Sequence, residues 1–485
     1  SHRGPDQNAF WEDETCGLSH SRLAIVDVHG GQQPIISPSG VVLIANCEIY
    51  NHTNIRNSNP QYSWQTQSDA ESILACYEMY QSNSSMSDGG DNHREWIETL
   101  QGMYAFAIWD PKRQILILAR DRFGIKPLHR TLHDGRMYFS SEIKAFHNLD
   151  DWQATIDENV LIERLAWGYT LDNSTLFKGV HQISPGSIET WTVENNAPRL
   201  LSIEYKKPFT FQQNQEDSYD SQIAKLYESL DYDINQRLMS DVDIGVILSG
   251  GLDSSIVAAQ AKQSEQYSSS DLVAWTIADS DTNPDYKSAI KVAEHLDLIH
   301  HTSIVEENDY ENALINQVYH GEDFDLTVSF FQSLFELVGA THKVALCGQG
   351  SDEFHGGYPR YGSPQKYGES ISQRYDLLNI PLENRSFNLQ KVSSDLNSLQ
   401  EFDINHGQLS NYQLNLIDRH SMAHGVEVRV PFLGSNHVQN CKFLRSEDRR
   451  MRHNEKIALR AAVQNVNLPR EIIDRPKLPA GRATT

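Results

Sequence analysis

The sequence predicts two domains of different class: an α+β sandwich over residues 1–200 and an α/β domain built on a parallel sheet over 217–485. Three observations carry this. Short apolar runs broken by turns fill the first part, strands alternating with helices fill the second, and two of the later strands end in glycine-rich turns. A chain of 485 residues has room for two or three cores.

In the first part, residues 18–28 and 41–45 are strand-like runs, 105–109 and 114–119 form a hairpin around Asp110-Pro111, and 137–140 add a strand. Residues 69–80 place Ile73, Leu74, Tyr77 and Tyr80 on one helical face. The polar stretch 192–215, with Pro198, Pro208 and many Asn and Gln, is the expected linker. Beyond it, 244–248 reads as a buried strand with a helix starting near Ser254. Residues 272–277 read as a second strand, 285–296 as a helix, 344–347 as a third strand, and 400–470 as mainly helical. Alternation of this kind gives a parallel sheet covered on both faces, with ligands beyond the carboxyl ends of its strands.

Forty-one basic residues against 65 acidic ones give a net charge of −24. That balance argues against an extensive nucleic-acid interface, which needs a basic stripe, but leaves room for ATP at a local site. No run of eighteen apolar residues is present, so no membrane span is expected. Cys16, Cys47, Cys76, Cys347 and Cys441 are scattered and lack CxxC spacing, which indicates neither a disulfide scaffold nor a structural zinc site and suits a reducing, cytoplasmic setting. The opening residues form no signal peptide.

The strongest chemical signal is Ser249-Gly250-Gly251-Leu252-Asp253-Ser254-Ser255 between a strand and a helix. Two glycines let backbone N–H groups converge, the helix presents its positive end, and Ser249, Ser254 and Ser255 add hydroxyls. No Gly-Lys-Ser/Thr follows, so this is a phosphate cradle but not a P-loop. Asp253 makes sense beside phosphate if Mg2+ lies between them, and Asp352, in the second loop Gly348-Gln349-Gly350-Ser351-Asp352-Glu353, can ligate the same ion.

With Met239–Val242 before it, this loop resembles the pyrophosphate loop of the asparagine synthetase family. Residues 276–301, 348–357, 419–423, 427–433 and the segment holding Lys456, Leu459 and Arg460 resemble that family too. The resemblance implies an ATP-pyrophosphatase (HUP-like) synthetase domain that activates a carboxylate as its adenylate and passes the acyl group to an amine. ATP and Mg2+ would be required. Ser249, Gly250, Gly251, Asp253, Ser254 and Ser255 would hold pyrophosphate, Asp253 and Asp352 the metal, and Leu248, Thr276, Cys347 and Gly348 would border the adenosine.

Residues 1–160 resemble the same family's Ntn-type class II glutaminase through His2-Arg3-Gly4-Pro5-Asp6, residues 21–27, Glu48-Ile49-Tyr50-Asn51, Ser68-Asp69, residues 102–107, 120–128 and 141–145. The resemblance implies that Arg22 pairs with the carboxylate of bound glutamine, Asp69 with its amino group, and that Asn46 donates to the oxyanion, with Cys47 and Glu48 alongside. Cys47 stands where the family has glycine. The family nucleophile is an amino-terminal cysteine, whereas the chain opens at Ser1. Either its start lies upstream or the glutaminase is inactive and kept for structure; the sheet edge and core that a missing first strand would expose favour the former.

Gln349 stands where asparagine synthetases carry a glutamate placed to handle protons, and an amide cannot do so. Glu353, Glu322 and Asp323 are stand-ins by position in the sequence. Arg475-Pro476-Lys477-Leu478, with Gly481 and Thr484-Thr485, resembles the terminal loop of beta-lactam synthetases, which implies that Lys477 stabilises charge on pyrophosphate and in the acylation transition state. This mixed signature points to a specialised ATP-dependent amide ligase acting on a small-molecule or peptide carboxylate with glutamine or ammonia. An intramolecular cyclase with a vestigial glutaminase and a non-catalytic scaffold are the rival readings, and a homodimer stays open as the assembly.

Overall fold

The structure is a computed structural model that describes residues 2–83, 92–212, 218–324 and 330–478. Its first strands, β1 (Gln7–Glu12) and β2 (Gly17–Arg22), form an antiparallel hairpin. The main amino-terminal sheet is built from β3 (Ile35–Ile36), β4 (Val42–Ile49), β5 (Gly102–Asp110), β6 (Ile115–Arg120), β10 (Ser187–Glu194) and β11 (Ala197–Tyr205), in the order β11-β10-β6-β5-β4-β3. A smaller sheet holds β7 (His129–His133), β8 (Arg136–Ser140) and β9 (Val180–Gln182).

Strand β5 shows why this part is layered. Tyr104, Phe106 and Ile108 join a core with Ile73, Leu74 and Tyr77 of helix α1 (Glu71–Asn83), while Ala105, Ala107 and Trp109 join a second core with Leu18, Leu128 and Ile183. A strand that is apolar on both faces must be covered on both, by a helix here and by strands and loops there.

Two expectations fail here for identifiable reasons. The apolar run 18–28 leaves the sheet after Arg22, whose guanidinium takes the carbonyls of Val26, Asp27 and Val28, so the chain curls around it with Asp27 in a left-handed conformation (φ 51°). The stretch 192–215 is no linker over its first half. Asn195 and Asn196, with φ of 51° and 61°, make the two-residue turn that joins β10 to β11. Both central residues of such a hairpin need positive φ, which asparagine tolerates. The polar composition that suggested a linker belongs to an edge strand and its turn.

The carboxyl-terminal sheet contains β12 (Ile244–Ile247), β13 (Val273–Ala278), β14 (Ile299–Ile304), β15 (Val344–Leu346) and β16 (Glu427–Arg429), ordered β14-β13-β12-β15-β16 with every pair parallel. Strand β16 lies in the region expected to be helical, and its three residues are all buried. Helices α2 (Glu158–Trp167), α3 (Tyr219–Gln236), α4 (Leu252–Gln263), α5 (Pro284–His295), α6 (Ser351–His355), α7 (Ser435–Cys441) and α8 (Ile457–Ala462) belong to this unit.

The division of the chain is not a single cut. One compact unit comprises Ser1–Asp157, Asn173–Lys207 and Met239–Val242, and the other comprises Glu158–Asp172, Pro208–Leu238 and Asp243–Thr485. The expected bounds, 1–200 and 217–485, follow the chain, whereas by packing β11 runs on to Tyr205 and α2 groups with the second unit. No helix among the described residues is long and apolar enough to cross a membrane.

Trp275 on β13 is fully buried, and its indole fills the space over Gly245, where a Cβ would lie 2.2 Å from the ring. Trp275→Ala is expected to cost about 3–5 kcal/mol as a core cavity, read as a lower denaturant midpoint for the carboxyl-terminal unit.

Candidate active site

Strands β12 and β15 are parallel neighbours, so the loops after them emerge side by side. After β12 the chain turns through Gly250, which has a φ of 70° and lies so close to Asp285 that a Cβ would stand 2.3 Å from its carbonyl oxygen; only glycine fits. Helix α4 starts at once. Its first intrahelical bond runs from Ser255 N–H to Gly251 C=O (3.1 Å), so the N–H groups of Leu252, Asp253 and Ser254 lie ahead of it at the positive end. Ser249 Oγ and Ser254 Oγ sit 3.0 Å apart at the loop. Ser255 departs from its expected use: its hydroxyl is buried and donates to Gly251 O at 2.7 Å, so it braces the helix.

The second loop delivers α6. Ser351 Oγ donates to Asp253 Oδ1 (2.8 Å), tying the two loops together. Asp253 and Asp352 converge, as their loops suggested, and two lysines compensate them. Lys456 Nζ lies 2.5 Å from Asp253 Oδ2 and 2.6 Å from Asp352 Oδ1, and Lys477 Nζ lies 2.7 Å from Asp352 Oδ2. Burial would raise the Asp352 carboxyl, but the Lys456 and Lys477 ammonium groups outweigh it and hold it well below the usual carboxylate range. Burial would likewise lower Lys477, and Asp352 and Asp253 reverse this and keep it protonated. Gly357 has no Cβ because one would fall 1.9 Å from Asp352 Oδ1.

Lys477 is held by its surroundings. Its N–H donates to Glu455 Oε1 (3.0 Å), Glu455 is clamped by Arg460 (2.6 Å), and Arg475 bonds the Gly250 carbonyl (2.8 Å) and Asp285 Oδ1 (2.5 Å). The terminal segment is thereby latched to the phosphate loop. Gly481, Thr484 and Thr485 lie outside the described residues.

The residues expected around adenosine form the floor at the strand ends. Leu248 is buried, with its N–H on the Trp275 carbonyl. Thr276 Oγ1 donates to the Leu248 carbonyl (2.6 Å) and lies 2.7 Å from His300 Nε2, so its hydroxyl is already committed. Cys347 is buried beside Gly348, its thiol pushed up to about 12 by burial, which makes it inert.

Gln349 Nε2 donates to Gln413 Oε1 (3.1 Å), which lies in a π-helical turn, Gln408–Leu414. Two amides therefore meet at this position. Of the three stand-in acids, Glu322 pairs with Arg419 (3.2 Å) and Asp323 with Arg164 (2.9 Å). Glu353 is fully buried and accepts from Tyr358 Oη (2.9 Å), and burial and neighbouring Asp352 push it up to about 7.

In the amino-terminal unit, Asn46 and Glu48 share one face of β4, and Cys47 lies on the other. Asn46 is half-buried. The Cys47 side chain packs on the helix-facing core with Sγ 3.8 Å from Asp69 Oδ2, on the side of the strand away from Asn46. Asp69 also accepts from Ile49 N–H (2.8 Å). Arg22 is buried, and besides the loop carbonyls it reaches Gln7 Oε1 (3.1 Å).

Lys456, Ser351, Arg475, Glu455 and Tyr358 have no role that the sequence assigns. No spacing rule singles out one lysine far along the chain from either loop, although the segment containing Lys456 lies within the family resemblance.

Asp253 and Asp352 offer hard oxygen ligands of the type that suits Mg2+, and Lys456 Nζ stands at the point where they meet. In ligand type the residues present fit that ion. Residues 225–484 match the asparagine synthase family and residues 1–201 the glutamine amidotransferase domain. The chain is 28% identical to asparagine synthetase [glutamine-hydrolyzing] 3 of Bacillus subtilis, an alignment covering 99% of this chain and 82% of that one. It is 29% identical to asparagine synthetase [glutamine-hydrolyzing] 2 of Oryza sativa (98% and 71%) and 30% identical to asparagine synthetase B of Escherichia coli (74% and 59%).

Removing Lys456 leaves two buried carboxylates facing each other. Lys456→Met is expected to cost about 3–5 kcal/mol. Because the folded Asp352 value is depressed, its contribution is present above the unfolded carboxylate value of about 4 and fades as pH falls through the folded value. In Lys456→Met that fading should begin at higher pH, and Mg2+ should restore part of the loss; melting temperature against pH, with and without Mg2+, measures both.

Proposed function

The chain belongs to the asparagine synthase family and is an ATP-dependent amide-forming ligase, and on that premise we propose how its residues divide the work between activation, ammonia supply and transfer. The observation that carries this reading is the convergence of Asp253, Asp352, Lys456 and Lys477 at the positive end of α4.

The substrate carboxylate attacks the α-phosphorus of ATP, an acyl-adenylate forms and pyrophosphate leaves. The leading N–H groups of α4, with Ser249 and Ser254, bind pyrophosphate oxygens as charge accumulates on them. Mg2+ held by Asp253 and Asp352 would neutralise that leaving group further. Lys477, whose side chain is partly exposed while Lys456 is fully enclosed, is the cation able to turn from Asp352 to the phosphates. Leu248, Thr276, Cys347 and Gly348 supply a closed floor against the adenosine.

In the amino-terminal unit Arg22 would hold the glutamine carboxylate and Asp69 its amino group, while the Asn46 amide donates to the oxyanion that forms as a nucleophile adds to the side-chain amide carbon; the C–N bond then breaks, ammonia leaves, and hydrolysis of the acyl group yields glutamate. Asp69 and Arg22 already carry internal hydrogen bonds, so glutamine would add to those contacts or replace some of them. Cys47 contributes its backbone N–H, while its half-buried thiol lies against Asp69 (3.8 Å).

When ammonia attacks the adenylate carbonyl, the acyl C–O bond breaks, AMP leaves, and a proton must leave the nitrogen. Gln349 and Gln413 can orient the nucleophile but cannot take that proton. Glu353 is the one stand-in acid of the three that is not paired with an arginine, and its hydrogen bond to Tyr358 gives the proton a place in a buried network. The intramolecular cyclase gains no support from the relatives named above, which are glutamine-hydrolysing synthetases by name, and a scaffold leaves the charge cluster without purpose. A reducing cytoplasmic setting and a homodimer belong to this reading as expectations.

ATP–pyrophosphate exchange across aspartate, related amino acids and carboxylated peptides tests the activation step. Asp253→Ala and Lys477→Met should each lower exchange about 10²–10³-fold while the far-ultraviolet spectrum stays unchanged. Exchange that persists in Asp253→Ala overturns the metal assignment. Glu353→Gln should retain exchange with the accepted carboxylate but lose amide product about 10²-fold, the usual weight of a proton-transfer group. Arg22→Ala should raise the KM for glutamine and leave ammonia-driven synthesis intact; equal loss with both nitrogen sources would refute its role.

A further inference from the structure

Helix α6 carries Asp352 and Glu353 toward the chemistry just described and ends in His355, which that chemistry does not use. His355 meets His437 and Cys441 of α7, which stand four residues apart and so on one face of that helix. All three side chains are fully buried. The two imidazole Nε2 atoms are 3.0 Å apart, Cys441 Sγ is 3.7 Å from His355 Nε2, and the three atoms all lie within 4.8 Å of one another.

We propose that His355, His437 and Cys441 bind a thiophilic d10 metal ion, Zn2+ or Cu+, at a site separate from the magnesium carboxylates. An ion about 2.0–2.1 Å from each nitrogen and about 2.3 Å from sulfur would hold the nitrogens about 3.3–3.5 Å apart and each nitrogen about 3.5–3.8 Å from sulfur. The two histidines reach that geometry with shifts of a few tenths of an ångström, Cys441 and His355 already meet it, and Cys441 and His437 offer ligand atoms within 4.8 Å of each other.

The chemistry of the three groups is consistent with that occupant. Burial keeps both imidazoles neutral, so each offers a lone pair without losing a proton. The Leu226 carbonyl of α3 faces the His437 ring, a backbone contact of the kind that orients metal-bound imidazoles. Burial keeps Cys441 a thiol until an ion arrives. Binding then exchanges the S–H bond for an S–metal bond and releases one proton to solvent, with no change in oxidation state. Sulfur with two imidazoles selects soft or borderline ions over hard Mg2+. Lys456, Arg449 and Arg237 act on this cluster against Asp352 and Asp233, and the thiolate adds one negative charge: Cu+ leaves the three ligands and ion neutral and Zn2+ leaves them singly positive. Cysteine spacing alone gives no hint of a site, because the ligands are a His-x3-Cys pair and a histidine more than eighty residues earlier.

The test uses the full chain, purified without a histidine tag or chelator and analysed for bound metal by mass spectrometry. The protein is then stripped and titrated with Co2+ as a Zn2+ probe, and anaerobically with Cu+. About one ion per chain is expected, and Co2+ should give an intense thiolate charge-transfer band in the near ultraviolet that Mg2+ does not suppress. The ion recovered, and the tighter of the two titrations, distinguishes Zn2+ from Cu+. Cys441→Ser should abolish the band, and His437→Gln, which retains the thiol, should weaken binding about tenfold or more. If the stripped wild-type protein, folded by circular dichroism, takes up neither ion and gives no band, the histidines share a plain hydrogen bond and the proposal falls. Binding in Cys441→Ser equal to that of the wild type overturns it as well.

Discussion

Two carboxylates that face each other inside a protein stay ionised only when cations stand against both, and the carboxyl-terminal unit is arranged around meeting that demand for Asp253 and Asp352. Lys456 touches both and is itself enclosed, with its backbone held in a left-handed conformation (φ 58°) just before α8. Lys477 takes the remaining Asp352 oxygen from the terminal segment, which Glu455, Arg460 and Arg475 anchor. The glycines follow from the same demand, since side chains at 348 or 357 would displace the aspartates. Four charges of opposite sign balance one another in this cluster, so neither carboxylate is left bare.

Much of this arrangement is legible in the sequence because it is local. Strand, glycine turn and helix follow one another within twenty residues at 244–263, and a parallel sheet has one way to place two such turns together. What escapes sequence reading is long-range or compositional. Lys456 reaches the aspartates from more than a hundred residues away, which no periodicity reveals, and Lys477 is legible only through the resemblance of its terminal loop. Strand β16 is three residues long, too short for alternation to register, and takes its conformation from pairing with β15. The Asn195-Asn196 turn reads as a linker because asparagine marks both a flexible linker and a tight hairpin, and only the flanking strands decide between them.

The amino-terminal unit spends its charged residues differently. Arg22 is buried, where burial lowers its affinity for a proton and nearby Asp27, Asp6 and Asp69 offset that only in part. Its hydrogen bonds to three successive loop positions make it an organiser of the loop as well as a candidate ligand for glutamine. A residue with both duties has its orientation set before ligand arrives, which lowers the entropy of binding that a free arginine would lose. Cys47 stands on the face of β4 opposite Asn46, its half-buried thiol packed at the margin of the helix-facing core beside Asp69.

The interleaved division of the chain has a consequence for its biosynthesis. Met239–Val242 belongs with the first unit, where Asp241 N–H bonds the Ile25 carbonyl and Asp27 N–H bonds the Asp241 carboxylate. On the ribosome, chain emerges in order. The first unit therefore cannot complete its last contacts until a helix of the second, Tyr219–Gln236, has already left the exit tunnel. Translation couples the maturation of the two units in time, even though each has its own core.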